Sequence, residues 1–156
     1  MNYTATQVTP FSNNRFHPAS AAELELIGNA ILSHLCGFDM NSELFRNQLP
    51  PTICDAVFCS LCGEEPSQAP GTRDILFRIT CRGSSENSSV FTKLKQLLSY
   101  AGEELFIEIS SPELRTPVVV SCMTLQDKWQ VARQFFGGVS VPHIIWDLRL
   151  SIVCRS

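Results

Sequence analysis

Charge is scarce in this chain. Asp, Glu, Lys and Arg make up 17% of its 156 residues, where about 25% is usual for a soluble domain. A surface this poor in charge leaves uncharged area for a partner to cover. Neither sign dominates. The net charge is −3, with three basic residues (Arg15, Arg46, Arg73) against seven acidic ones before Asp74 and nine against eight from there on. Neither half carries the positive field of a nucleic-acid binder. Long apolar runs are missing as well, and no stretch approaches the about 18 residues that cross a bilayer. No charged-then-apolar leader stands at the start. These absences imply an intracellular protein, cytoplasmic or nuclear, with no membrane association. No internal repeat, phosphate loop, paired-carboxylate motif or nucleophile elbow occurs. The three histidines, His17, His34 and His143, are not near a Ser or Cys in such a pattern. The expectation is a protein without catalysis.

Cysteine is the residue present in excess. There are seven, at 36, 54, 59, 62, 81, 122 and 154. The odd count, and their position inside apolar periodic segments, suit free thiols in a reducing compartment. Cys59-Ser-Leu-Cys62-Gly63 has the spacing of a metal knuckle, with Cys54 nearby. A structural zinc needs four ligands, and there is no second Cys-x-x-Cys, so zinc would have to recruit scattered residues. The alternatives are apolar packing of the thiols with no cofactor, or a small zinc-stabilised regulatory protein.

Punctuation divides the chain. Residues 1–19 are polar and aperiodic and read as a mobile tail. Ser20-x-x-Glu23 is a capping-box pattern, Leu24, Ile27, Ile31 and Leu35 repeat at helical spacing, and Gly37 is placed to end the helix. Ser42–Asn47 reads as a short turn of helix. Thr52 with Asp55 opens a further helix to Cys62, and Gly63 stops it. Residues 20–63 therefore read as a small helical unit. Residues 64–73, with two prolines and a glycine, read as a linker.

From residue 74 to 156 the expected order is strand, helix, strand, strand, helix, strand. The strands are Ile75–Cys81, Glu104–Ile109, Pro117–Cys122 and His143–Cys154, with period-2 alternation in the first, second and last. The helices are Ser89–Ala101 and Leu125–Phe136, the second built on Leu125, Trp129, Ala132 and Phe136 and ended by Gly137-Gly138. This β-α-β-β-α-β order resembles the ferredoxin-like fold. The resemblance implies an α+β protein with a four-stranded antiparallel sheet, order 4-1-3-2, and two helices on one face.

Leu32-Ser-His-Leu35-Cys36-Gly-Phe-Asp-Met40, followed by Leu49-Pro50-Pro-Thr-Ile53, resembles a SOCS box. That likeness implies Leu32, Cys36 and Met40 as anchors in elongin C, with Leu49, Pro50 and Ile53 lying toward a cullin, a helix-in-groove contact. The segment from Leu49 also looks like the start of an F-box. The plain alternative is a helix, a turn and a second helix packed on a core. Separately, the layout after Asp74 looks like the dimeric DNA-binding domain of papillomavirus regulatory proteins, which would place Arg82, Lys93 and Lys95 on nucleic acid. Phosphate neutralisation needs more cations than these, which argues against nucleic acid as the partner. The long last strand offers an edge or a sheet face to a partner, with Trp146 and Leu148 at the contact. The expected function is a protein-binding, adaptor or regulatory protein acting as a homo-oligomer or in a heteromeric complex. Its apolar density would suit a viral accessory protein.

Overall fold

The computed structural model describes residues 3–10, 20–38, 56–82 and 86–154. Helix α1 (Ala21–Cys36) begins and ends where its caps put it. Ser20 Oγ accepts the Glu23 N–H at 3.3 Å. Gly37 adopts φ +76°, and the N–H groups of Gly37 and Phe38 both donate to the Ser33 carbonyl, at 2.8 and 3.0 Å, closing the last turn as a left-handed cap does. Ten of its sixteen residues are buried. A helix hidden on more than one stripe must be enclosed, not laid on a surface.

The enclosure is one seven-stranded antiparallel sheet. In chain order its strands are β1 (Thr4–Gln7), β2 (Ala56–Pro66), β3 (Thr72–Arg82), β4 (Glu104–Ser110), β5 (Val118–Leu125), β6 (Gln130–Phe136) and β7 (Val139–Val153). The second helix, α2 (Ser89–Leu94), runs on into a 3-10 stretch, Lys95–Ser99. Strands follow the order β1-β4-β5-β7-β3-β2, and β6 pairs with the first half of β7. Six strands about 4.8 Å apart would span roughly 24 Å if flat, about twice a helix diameter. Yet both ends of the path reach α1. Tyr3, just before β1, donates its hydroxyl to Ser33 Oγ at 3.1 Å. At the other end, the β2 backbone bonds to α1 side chains. The sheet therefore curls around the helix.

That second contact matches two periods. Cys59 N–H donates to Asn29 Oδ1 at 2.9 Å and Leu61 N–H to Glu25 Oε1 at 3.5 Å. Every second strand amide points off the edge, about 6.8 Å apart. Residues four apart on a helix rise about 6.0 Å. The helix thus supplies acceptors a further strand would have supplied, and closes the β2 edge at Cys59 and Leu61. Asn29 is held in that orientation by its own Nδ2–H, which donates to the Glu25 carbonyl at 2.9 Å. Asn29→Ala is expected to cost about 1–2 kcal/mol, because it strands a half-buried N–H. Urea denaturation checks this, and an unchanged midpoint would show that water replaces the amide.

The core lies between α1 and the concave face of the sheet, with Phe77, Ile79, Trp146, Leu150 and Ile152 from the central strands almost wholly buried. Among the described residues, no helix is long and apolar enough to cross a membrane.

The ferredoxin-like expectation is overturned, and with it the α+β assignment. Among the described residues the fold is mostly sheet, with seven strands and two short helices. Two segments carry the difference. Residues 125–136, expected as a helix, are the end of β5, a loop and β6. Gly137 and Gly138 do not stop a helix. At φ +57° and +84° they form the two-residue turn with both central residues left-handed that joins twisted antiparallel strands. With a hairpin there, no helical crossover precedes the last strand. β7 therefore lies in the middle, between β5 and β3, in place of an edge position beside β3 alone. The second segment is Ile53–Cys62. Its described part belongs to β2, where Val57, Cys59 and Leu61 face inward and Ser60 and Cys62 outward. Residues 64–73 hold the facing ends of β2 and β3 and the turn between them, so the stretch expected as a helical unit shares its sheet with the strands after it. The Ser42–Asn47 turn lies outside the described residues.

Candidate functional site

Edges decide what a curled sheet can bind. The β2 edge is covered by α1 at Cys59 and Leu61. β1 is only four residues long, and short edges recruit poorly. β6 is seven residues long and pairs on one side, with β7. Among the described residues no strand pairs with its other side. The pair flanking a two-residue turn exchanges both backbone hydrogen bonds, here Phe136 with Val139. By alternation, Val131, Arg133 and Phe135 turn their N–H and C=O groups to the open side.

The same three residues share one face. Phe135 is 75% and Val131 54% exposed, two of the few large apolar side chains that the described surface leaves in solvent. Arg133 lies between them and donates from Nε to Ser140 Oγ across the hairpin at 2.8 Å. The base of β6 is anchored. Trp129 packs edge-on against Phe91 (5.0 Å between ring centres) and Trp146 (5.3 Å), and Trp146 Nε1–H donates to the Gln126 carbonyl at 2.8 Å. The hairpin is thus fixed at its root and, among the described residues, unpaired along its outer side.

The convex face of the sheet is different. A depression of about 490 Å³ lies over β3, β7 and the end of β5, with Leu76, Arg78, Thr124, Asp147 and Arg149 around it. Its charges answer one another. Arg78 donates to both Asp147 oxygens, at 2.9 and 3.4 Å. Arg149 meets Glu65 at 2.7 Å and Asp74 at 3.2 Å, and Ser151 Oγ donates to Asp74 at 2.8 Å. Exposed pairs of this kind hold register and contribute about 0–1 kcal/mol each. Two guanidiniums meet three carboxylates, so no unpaired cation is left here for an anionic ligand, and the side chains that meet are ion pairs, not nucleophile and base.

The thiols divide by face. Cys36, Cys59 and Cys81 are buried and Cys62 is exposed. Strand alternation turns Cys59 inward and Cys62 outward, so the Cys59-x-x-Cys62 pair cannot close on one ion. Cys54 lies outside the described residues. Among the described residues no group of three or more His, Cys, Asp and Glu is placed to hold a metal. Burial pushes the Cys36 thiol up to about 12, partly opposed by the Lys93 ammonium. Burial also raises Cys59, with Cys36 and Cys81 adding to the effect. The sign for stability follows. In the unfolded chain these thiols ionise near their ordinary 9.0, so above pH 9 the unfolded state sheds protons that the folded state keeps. Stability is therefore expected to fall from pH 9 toward 12, by about 1.4 kcal/mol per pH unit for each such thiol. Urea midpoints from pH 8 to 11 check this, and Cys36→Ala is expected to flatten the slope.

The other candidate residues are scattered. Leu32 is 0% and Cys36 2% exposed, and the Cys36 thiol points at the Leu94 carbonyl, 3.9 Å away. Presenting either to a groove on elongin C would require α1 to leave the sheet. Met40, Leu49, Pro50 and Ile53 lie outside the described residues. Trp146 and Leu148 are core residues. Lys93 donates to the Gly37 carbonyl at 3.4 Å and lies over the Phe38 ring, capping the C-terminus of α1. Lys95 lies over Phe91. Arg82 is buried on the opposite face of β3 from core-facing Cys81, so the structure does not gather these three cations on one surface. Val131, Arg133 and Phe135 were not among the sequence candidates. The available signal was a Gly-Gly pair between two alternating segments, which marks a hairpin.

No protein-family model matches the chain, and comparison with curated proteins returns no significant match.

Proposed function

We propose that this chain is a protein-binding module, an adaptor or regulatory protein without catalytic chemistry of its own, that takes its partner along β6. The observation that carries this reading is the contrast between edges. One is covered by α1 at Cys59 and Leu61 and one is very short, while β6 has no strand on its outer side among the described residues and carries two exposed apolar side chains. Unpaired backbone groups and apolar surface on a rigid support are what strand addition uses, hydrogen bonds for affinity and alternate side chains for specificity. Recruitment through Leu32 and Cys36 needs the core to open, and the β6 edge needs no rearrangement.

The test compares the wild-type chain with a Val131→Asp/Phe135→Asp variant as bait in quantitative affinity purification from the source cell. Both positions are exposed, so the variant is expected to melt within a few degrees of the wild type. Proteins bound through β6 are expected to fall about tenfold or more in the variant. If the same proteins elute from both baits in equal amounts, β6 is not the docking edge.

A further inference from the structure

The arginines of this surface point to what the β6 edge accepts. Arg73, Arg78, Arg115 and Arg149 each meet a carboxylate of the chain, at 2.7 to 3.9 Å. Arg133 meets a hydroxyl, that of Ser140, and no carboxylate among the described residues. It is held on the side of the hairpin that also carries Val131 and Phe135, at two-residue spacing to either side. An incoming strand places its residues directly opposite these three.

A second copy of this chain fits that pattern poorly. Two β6 strands paired antiparallel around Arg133 bring Val131 opposite Phe135 of the other copy, which matches the apolar groups. The same register sets one guanidinium opposite the other, and like charges directly opposed are destabilising. Sliding the pair by two residues separates the charges, but leaves Val131 or Phe135 facing the turn or the strand's start. Apolar matching and charge matching therefore demand different registers.

Resting on the β6 reading above, we infer that the occupant is an extended segment of a partner protein with the pattern apolar-x-acidic-x-apolar, added as a strand with its carboxylate opposite Arg133. Such a segment satisfies both demands in one register. The guanidinium then gains the charge-assisted hydrogen bonds that Arg73, Arg78 and Arg149 already have, and Ser140 keeps its side of the fork occupied.

The probe is a display library of random twelve-residue peptides, panned on the wild-type chain and counter-screened on Val131→Asp/Phe135→Asp. The expected result is a family of β6-dependent peptides sharing an Asp or Glu flanked two positions away by apolar residues. Their affinity, read by calorimetry, is expected to fall about tenfold with Arg133→Glu and less with Arg133→Gln. Replacing the peptide's acid by Lys is expected to restore binding to the Arg133→Glu chain. Peptides that need Val131 and Phe135 but ignore Arg133 would overturn the acidic partner and leave β6 docking intact. Peptides that bind both baits equally would remove the β6 reading itself. A dimer at tens of micromolar that Phe135→Asp dissociates, seen by light scattering, would make a second copy the occupant and overturn the inference too.

Discussion

Trp146→Ala is expected to lower folding stability by about 3–5 kcal/mol, a large part of the about 5–15 kcal/mol that holds a domain of this size together. Trp146 is 0% exposed and sits on central strand β7, against Phe91 (6.3 Å between centres) and Trp129. Truncation removes the filling of the core where the sheet meets α2. It also removes the indole N–H that holds the Gln126 carbonyl. That second loss reaches further. The loop after β5 is pinned by this bond and by Gln126 N–H to the Asp147 carbonyl at 3.0 Å, so β6 loses part of its root. The melting temperature is expected to fall by roughly 6–20 °C. Trp146→Phe keeps much of the volume and is expected to cost less, and its remaining deficit reports the lost hydrogen bond. A surface role for Trp146 predicts the opposite, weakened association with unchanged stability.

The second large effect is at Gly28. In an exposed helix Gly→Ala gains about 1 kcal/mol from propensity. Here a Cβ would lie 2.7, 2.9 and 3.1 Å from three ring carbons of Phe77. Gly28 is the place where α1 comes down onto β3, and Phe77, 1% exposed, has closed core around it and no room to swing aside. Gly28→Ala is therefore expected to destabilise by about 1–3 kcal/mol in spite of propensity. Phe77→Leu alone is expected to cost on the order of 1 kcal/mol or more by opening space. Combined, the two are expected to cost less than their sum, because the new methyl enters the space the ring has left. An additive double mutant, or a stabilising Gly28→Ala, would mean that α1 does not approach the sheet this closely.

Legibility followed locality. α1 was readable because its signals sit within a few residues of the structure they specify, Ser20 and Glu23 at one end and Gly37 at the other. β3, β4 and β7 were readable because period 2 is written along each strand, whereas β5 opens on a run of buried valines, Val118, Val119 and Val120, without alternation. β6 was not, because Leu125, Trp129, Ala132 and Phe136 satisfy a helical spacing while the residues after Gln130 also satisfy a hairpin. The arbiter, Gly137-Gly138, is a stop in one reading and a turn in the other. β2 was missed for a like reason, since Thr52-x-x-Asp55 imitates a helix cap ahead of residues that alternate. β1 has almost no apolar signal, and its pairing with β4 is set by a contact about a hundred residues distant. The candidate site inherits these errors. Phe135 stands in solvent only because β6 is an edge, and an edge is a property of strand order. The buried state of Leu32, Cys36 and Trp146 likewise depends on the sheet closing around α1, which no motif records.

Native-state hydrogen exchange of the unliganded monomer tests this arrangement of edges most directly. The Cys59 and Leu61 amides, on a strand at the end of the sheet, are expected to exchange slowly because Asn29 and Glu25 accept from them. The Val131, Arg133 and Phe135 amides are expected to exchange orders of magnitude faster than their neighbours Ala132 and Gln134, which bond to β7. Uniform slow exchange along β6, or rapid exchange at Cys59 and Leu61, would contradict an open β6 edge and a β2 edge closed by the helix.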